Sequence, residues 1–262
     1  MRPEARGSDW EDLPDRLRIR GHYLDPFLGR LKHDVYVELI RRWGREHLRG
    51  SVLKTDLFEE AGGPDAWLPA VAGDSRLAIG IDVAAATTEA ARANAGAACR
   101  YVTTDVRHLP FGSGSIDLVV SPSTLDHFEE PTDLGRSLGE FRRVLRPGGR
   151  LIITLDNRQN LTDPALRLVA RLGLVPFRLG RSYRIAELRA ELSAAGFVVL
   201  ETTAILHNPR LMAVGAIAIV HRLGWVWLQR QVQQLLQAAQ RLEHSRLCFR
   251  TGSFIAALAA PA

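Results

Sequence analysis

Acidic side chains that close short apolar runs are the residues of this chain best placed to do chemistry. Asp82 ends Ser75-Arg-Leu-Ala-Ile-Gly-Ile-Asp82, and Asp105 ends Cys99-Arg-Tyr-Val-Thr-Thr-Asp105. A third run, Ile116-Asp-Leu-Val-Val120, leads into Ser121-Pro-Ser-Thr-Leu-Asp-His127. Open α/β sheets bind ligands at the carboxyl ends of their strands, where an acid accepts hydrogen bonds from ligand hydroxyl or amino groups. Asp82 suits ribose hydroxyls. Ser121, Asp126 and His127 fall beside it at the end of another strand. An imidazole with an unperturbed pKa of ~6.5 suits proton removal from a hydroxyl or an amine. His127 has two readings, that base or a structural histidine bonded to nearby backbone.

A fourth constellation, Lys54-Thr-Asp-Leu-Phe-Glu-Glu60, follows the run Ser51-Val-Leu. A pyrophosphate needs close backbone approach and a helix start free of competing anions. Glu59 and Glu60 at such a start repel phosphate.

The elements that must hold these groups follow from periodicity. Ile116–Val120 and Arg150-Leu-Ile-Ile-Thr-Leu155 read as strands buried on both faces. Between them Asp133–Arg146 is helical, with Leu134, Leu138, Phe141, Val144 and Leu145 on one face. Pro147-Gly148-Gly149 is expected to stop that helix. Such strand–helix–strand units are parallel crossovers, with helices on both faces of the sheet. Further helices are expected over Leu31–Trp43, 63–72, 84–95, Leu161–Leu174, Ile185–Ala195 and Gln229–Leu242, and further strands over Phe197–Thr203 and Leu247–Ala256.

The wording of this stretch points to a family. Asp105 followed by Leu109-Pro-Phe111, then Ser115-Ile-Asp-Leu-Val119, then Phe141-Arg-Arg-Val-Leu-Arg-Pro-Gly-Gly-Arg-Leu151, resembles a class I S-adenosylmethionine-dependent methyltransferase. It is most similar to the small-molecule type that includes the ubiquinone and menaquinone pathway enzymes. The resemblance implies a Rossmann-like, doubly wound sheet of seven strands, mostly parallel with the last strand antiparallel, plus helical lid segments. It implies S-adenosylmethionine as cofactor and S-adenosylhomocysteine as product, with methyl transfer by in-line displacement. Lys54, Asp56, Leu57, Phe58, Asp82, Val83, Asp105, Val106 and Ser121 then fall at cofactor-binding positions. In that setting the cofactor offers an ammonium, a carboxylate and a sulfonium: Asp56 would accept from the ammonium, Lys54 would meet the carboxylate or brace the loop, and Asp105 accepts from the adenine amine, or else caps the next turn. The chain departs from the family where Asp56, Phe58 and Glu60 stand in place of glycines. That departure leaves a second class of function open, a catalytically inactive subunit of this fold that binds or scaffolds. A third, nicotinamide-dependent oxidoreduction, is disfavoured by the acidic loop.

Composition bounds the rest. The chain has 262 residues, 46% of them hydrophobic, enough for one sizeable core. A single domain is expected: an arm and cap helix over 1–45, a cofactor core over 50–157, a lid insertion over 158–184, and a C-terminal half over 185–262. The formal net charge is +5, yet Lys32 and Lys54 are the only lysines and the arginines are scattered. No basic stripe with interleaved aromatics is present, which disfavours nucleic acid. Cys99 and Cys248, each in an apolar strand-like run, exclude a disulfide framework and a cysteine metal site, and no metal is expected. The first ten residues lack an apolar secretory core, so a cytoplasmic protein, monomeric or homodimeric, is expected.

Acceptor contacts are sought in the arm, the insertion and the tail. Candidates for substrate binding are Tyr23, Asp126, His127, Tyr183 and Trp225, with Tyr183 and His22 as alternatives to His127 for proton transfer. Apolar residues in these segments (Trp43, Leu168, Leu172, Phe177, Ile217, Trp225) suggest a largely hydrophobic acceptor. The run Leu211–Val220 is interrupted by His221 and Arg222 and is too short to span a bilayer. It reads either as a buried lid helix or as an interfacial helix with Trp225 and Trp227 at headgroup depth.

Overall fold

The computed structural model describes residues 25–62, 65–95, 98–173 and 179–262. The first element among the described residues is α1 (Pro26–Gly44), begun by Asp25, whose Oδ1 accepts from the amides of Phe27 at 2.9 Å and Leu28 at 3.1 Å. Leu31, Tyr36, Leu39, Ile40 and Trp43 form its buried face. Then follow β1 (Ser51–Lys54), the short helices α2 (Phe58–Gly62) and α3 (Leu68–Ala72), β2 (Leu77–Asp82), α4 (Ala85–Ala95) and β3 (Arg100–Thr103). β4 (Ile116–Pro122) leads through a 3₁₀ turn at Leu125–His127 into α5 (Pro131–Val144), then β5 (Leu145–Asp156) and α6 (Asp163–Arg171). The chain closes with α7 (Ile185–Ala194), β6 (Phe197–Ile205), α8 (Arg210–Leu223), α9 (Val226–Ala239), α10 (Cys248–Thr251) and β7 (Phe254–Pro261).

The seven strands lie in the order β3-β2-β1-β4-β5-β7-β6. β1 to β5 are parallel, and β7 runs antiparallel between β5 and β6. The order reverses between β1 and β4, so their carboxyl ends flank the crevice where such sheets take ligands. Two apolar clusters sandwich the sheet. One sets α1, α3 and α4 against Val52, Leu118 and Ile152. The other sets α5 and α7 against Leu53, Val119 and Ile153. Successive residues of one strand thus point to opposite cores, and every residue of β1 is buried.

Two expectations are corrected here. Pro147-Gly148-Gly149 does not stop the helix, which ends at Val144; it forms an irregularity inside β5, where pairing with β4 jumps from Ile116↔Leu145 to Leu118↔Arg150. Gly148 supplies the positive φ of 80° that this requires. The last strand lies at Phe254–Pro261 rather than Leu247–Ala256, and Cys248 opens a single helical turn. Ala256, Ala257 and Ala259 are poor strand formers. Their small side chains fit a strand paired on both edges and buried on both faces.

Candidate active site at the carboxyl ends of β1, β2 and β4

The loop after β1 is built around a buried lysine. Lys54 Nζ donates to Glu59 Oε2 at 2.7 Å and to Glu60 Oε2, and lies 4.6 Å from the centre of the Trp67 ring. Trp67 stacks on Tyr36 of α1. Lys32, one turn earlier on α1, donates to Glu59 Oε1 at 2.7 Å and to Asp65 Oδ2 at 3.0 Å. Glu60 Oε1 accepts the amides of Leu68 at 3.0 Å and Trp67 at 3.3 Å. The ion network therefore clamps α1, the β1–α2 loop and the start of α3 together, and Lys54 acts as its brace.

Electrostatics follow the geometry. Burial opposes charge on Lys54, but Glu59, Glu60 and Asp56 more than offset it, and its pKa stands above the ordinary lysine value. Burial also opposes charge on Glu59, yet two lysines bring its pKa below the usual range. Glu60, with Lys54 alone and the Glu59 charge beside it, moves upward, chiefly through burial. Asp56 is pushed well up, first by burial and then by Glu59 and Asp82.

Leu57 fixes how this loop sits. Its side chain fills space beside Gly80, where an added Cβ would lie 2.4 Å from Leu57 Cδ2. Its amide donates to Asp82 Oδ2 at 3.1 Å, and the Ala84 amide donates to Asp82 Oδ1 at 2.8 Å. Glycine thus sits on the strand instead of in the loop. Asp82, at the end of β2, keeps spare lone pairs and has its pKa raised by burial. Val83 beside it is exposed. Asp105 lies past the end of β3, in a turn where it accepts the Arg107 amide and the Arg107 guanidinium. Burial opposes its charge, but those bonds hold its pKa below the usual carboxylate range. Val106 is buried.

Hydroxyl groups join the strand ends. Thr55 Oγ1 donates to Ser121 Oγ at 3.0 Å and lies 3.0 Å from Thr124 Oγ1. Tyr36 OH pairs with Thr154 Oγ1 at 2.9 Å. Ser123 holds the left-handed conformation, φ 47°, sparsely populated for a residue with a side chain. Its amide donates to Thr154 Oγ1 at 3.1 Å and its hydroxyl to Asp126 Oδ2 at 2.7 Å.

Asp126 is fully buried, and its Oδ1 has no hydrogen-bond partner among the described residues. Burial and then the Asp156 charge raise its pKa. Residues 179–183 strap over it: the Arg181 amide donates to Asp126 O at 2.6 Å, and the Tyr183 amide to Asp156 O at 2.9 Å. His127 is half-buried at the end of the 3₁₀ turn, close enough for its charge to act on Asp126. Tyr183 is buried in the α5–α7 cluster under the Arg181 guanidinium, and burial raises its phenol pKa. A phenol held protonated in this way is a poor base near neutrality.

His22, Tyr23 and Phe177 lie outside the described residues. Trp225 is no enclosed lid residue; it sits exposed between α8 and α9 with its ring stacked on Trp227. Sequence reasoning gave no site role to Thr55, Thr124, Thr154 and Tyr36, because isolated hydroxyls carry no spacing signal. It also took Glu59 and Glu60 only as anions at a helix start, without pairing them to lysines.

Comparisons with known proteins fit this geometry. A family model described as a methyltransferase domain matches residues 61–153, beginning just past the loop that departs from the glycine pattern. A Mycolicibacterium smegmatis protein described as a probable S-adenosylmethionine-dependent methyltransferase is 30% identical over 238 residues, 87% of this chain and 81% of the relative. The malonyl-[acyl-carrier protein] O-methyltransferase of Geobacter sulfurreducens is 32% identical over 205 residues, 71% of this chain and 72% of its own. A Thermotoga maritima structure titled as an S-adenosylmethionine-dependent methyltransferase, possible histamine N-methyltransferase, superposes with a TM-score of 0.62 at 14% identity. It covers 97% of this chain and all of its own, and shows the shared fold. With strand order, crevice and sequence relatives in agreement, the chain belongs to the class I S-adenosylmethionine-dependent methyltransferase family, whose cofactor is S-adenosylmethionine.

Proposed function

We propose that this enzyme methylates a small molecule with an apolar body, on a hydroxyl or amine presented to His127. The observation that carries the reading is the convergence of Asp56, Asp82, Thr55 and Ser121 at the carboxyl ends of β1, β2 and β4. The donor set fits the cofactor. Ammonium and ribose groups are donors, and Asp56 and Asp82 are acceptors whose pKa values are raised chiefly by burial, so a cationic or hydroxyl-bearing ligand would relieve them. Bound S-adenosylmethionine supplies an electrophilic methyl on a sulfonium.

In this reading Asp82 takes the ribose hydroxyls, exposed Val83 lies against the nucleoside, and Asp56 takes the ammonium. Leu57 and Phe58 offer loop backbone, while Lys54 stays in its ion network. Asp105, held by Arg107, and Val106 close the adenine side. His127 takes the acceptor's proton. Apolar support comes from Leu168 on α6 and Leu172 just past its end, both exposed; α6 is tied to the strap by Arg167 Nη2, which donates to Gly180 O at 3.1 Å.

Calorimetric titration with S-adenosylhomocysteine tests the reading, and absence of heat at millimolar ligand defeats it. For the base, methyl transfer to a panel of phenols, isoprenoid quinols and alkyl amines is followed against pH. His127→Ala is expected to lower turnover by about 10²–10⁴-fold at saturating acceptor. An unchanged profile at saturating acceptor removes His127 from the role.

Asp56 carries a further prediction. Its folded pKa is raised, so the stability it contributes is complete below the unfolded value of ~3.9 and lost as pH rises through the folded one. Asp56→Asn retains an acceptor for the Phe58 amide, which now bonds Oδ1 at 2.7 Å, and removes the crowded charge. Each kcal/mol so recovered raises the melting temperature of the ligand-free protein by about 2–4 °C at pH 7. The same variant is expected to bind S-adenosylmethionine more weakly. A lower melting temperature together with unchanged affinity would refute both halves.

A further inference from the structure

We propose that the corner between α8 and α9 docks on an anionic lipid surface. Residues 222–227 form an unbroken exposed run. Within it Leu223 is 46%, Trp225 52%, Val226 59% and Trp227 62% exposed. Single exposed apolar residues are ordinary, but a contiguous cluster of this kind marks an interaction surface. Gly224, at φ 66°, turns the chain so that the cluster projects as a corner. The two indoles stack on each other, centroids 6.3 Å apart, instead of folding into the core. Ile219 on α8 and Leu235 on α9 add further exposed apolar surface.

The corner is held out by the fold. Ala213, Ile217 and Leu236 are buried against Phe27 and Leu31 of α1, so both helices are anchored on the body. Indoles beside a glycine turn, with arginines on either side, match the residue chemistry of a membrane interface.

Charge selects the occupant. No aspartate or glutamate occurs from residue 202 to 242, while Arg222 and Arg230 flank the corner and are exposed. A second copy seated symmetrically on this face would set those arginines near their own counterparts, with no acid in the segment to pair them. Anionic headgroups supply the missing charge, at about 1 kcal/mol per arginine near the surface. No helix among the described residues is long and apolar enough to cross a membrane, so the contact is one of lying on the surface.

Co-sedimentation of the full chain with vesicles tests this, using phosphatidylcholine alone and an equal mixture with phosphatidylglycerol. Partitioning into the mixed vesicles is expected, weakening with salt. Replacing both Trp225→Ser and Trp227→Ser should lower it at least about tenfold. Arg222→Gln and Arg230→Gln should each lower it by about fivefold, and only on anionic vesicles. All four side chains are exposed, and an unchanged melting temperature confirms that the variants fold. Absence of wild-type binding to either vesicle overturns the proposal, as does binding that the four substitutions leave intact. Sedimentation velocity showing a wild-type dimer that the tryptophan variant dissolves also overturns it, in favour of a second copy.

Discussion

Lys54→Ala is expected to destabilise the protein by about 3–5 kcal/mol, because it leaves a buried carboxylate without its cation. Glu59 retains Lys32 on its other oxygen, but Glu60 has no second lysine and keeps only the Trp67 and Leu68 amides. At about 2–4 °C per kcal/mol, the melting temperature falls by roughly 6–20 °C at pH 7. The deficit depends on pH in a definite direction. Glu59 has a lowered folded pKa, so its contribution is present above the unfolded value of ~4.3 and lost as pH falls through the folded one. Lys54 stays charged throughout this window, its pKa being raised. The gap between wild type and variant should therefore be widest near neutrality and narrow as pH falls and Glu60, whose pKa is raised, takes up its proton. Combining Lys54→Met with Glu60→Gln should recover most of the loss, since it removes the uncompensated charge as well as its partner. Melting curves across pH decide the matter. A gap independent of pH, or no recovery in the double variant, would show that Lys54 contributes packing alone.

Asp82→Ala is expected to weaken S-adenosylhomocysteine binding about a hundredfold or more. Hydrogen bonds to a charged acceptor are worth about 1.5–3 kcal/mol each, and the proposed ribose contact uses two hydroxyls. A second loss adds to this one. The carboxylate also accepts the amides of Leu57 and Ala84, so its removal loosens the β1–α2 loop as well as the ligand contact. Asp82→Asn separates the two effects. It keeps the shape and one acceptor oxygen, but sets an amide donor against a backbone donor. Affinity by calorimetry and melting temperature without ligand, measured on both variants, report contact and loop separately. Affinity unchanged in both would place the nucleoside elsewhere.

How much of this was legible in advance can be judged residue by residue. The alternation of apolar strands and amphipathic helices, and the acids that end β2 and follow β3, are local features, and local periodicity suffices to place them. The final strand was misplaced because its alanines carry almost no strand preference of their own. Only pairing with β5 and β6 on both edges makes Phe254–Pro261 a strand.

The site divides along the same line. From sequence alone came the family, the sheet, the identity of its cofactor, and the acidic character of a loop usually rich in glycine. Charges along a chain show sign and spacing, but not whom they face. Tertiary structure decided that Lys54 of β1 and Lys32 of α1 neutralise Glu59 and Glu60 of α2, three separate segments. It decided that Ser123 is bent into a left-handed turn to meet Thr154 and Asp126, and that Trp225 and Trp227 face outward. Each of these depends on residues distant in sequence being brought within a few ångströms. Burial then amplifies their electrostatics, because a charge removed from water must find its partner in the fold.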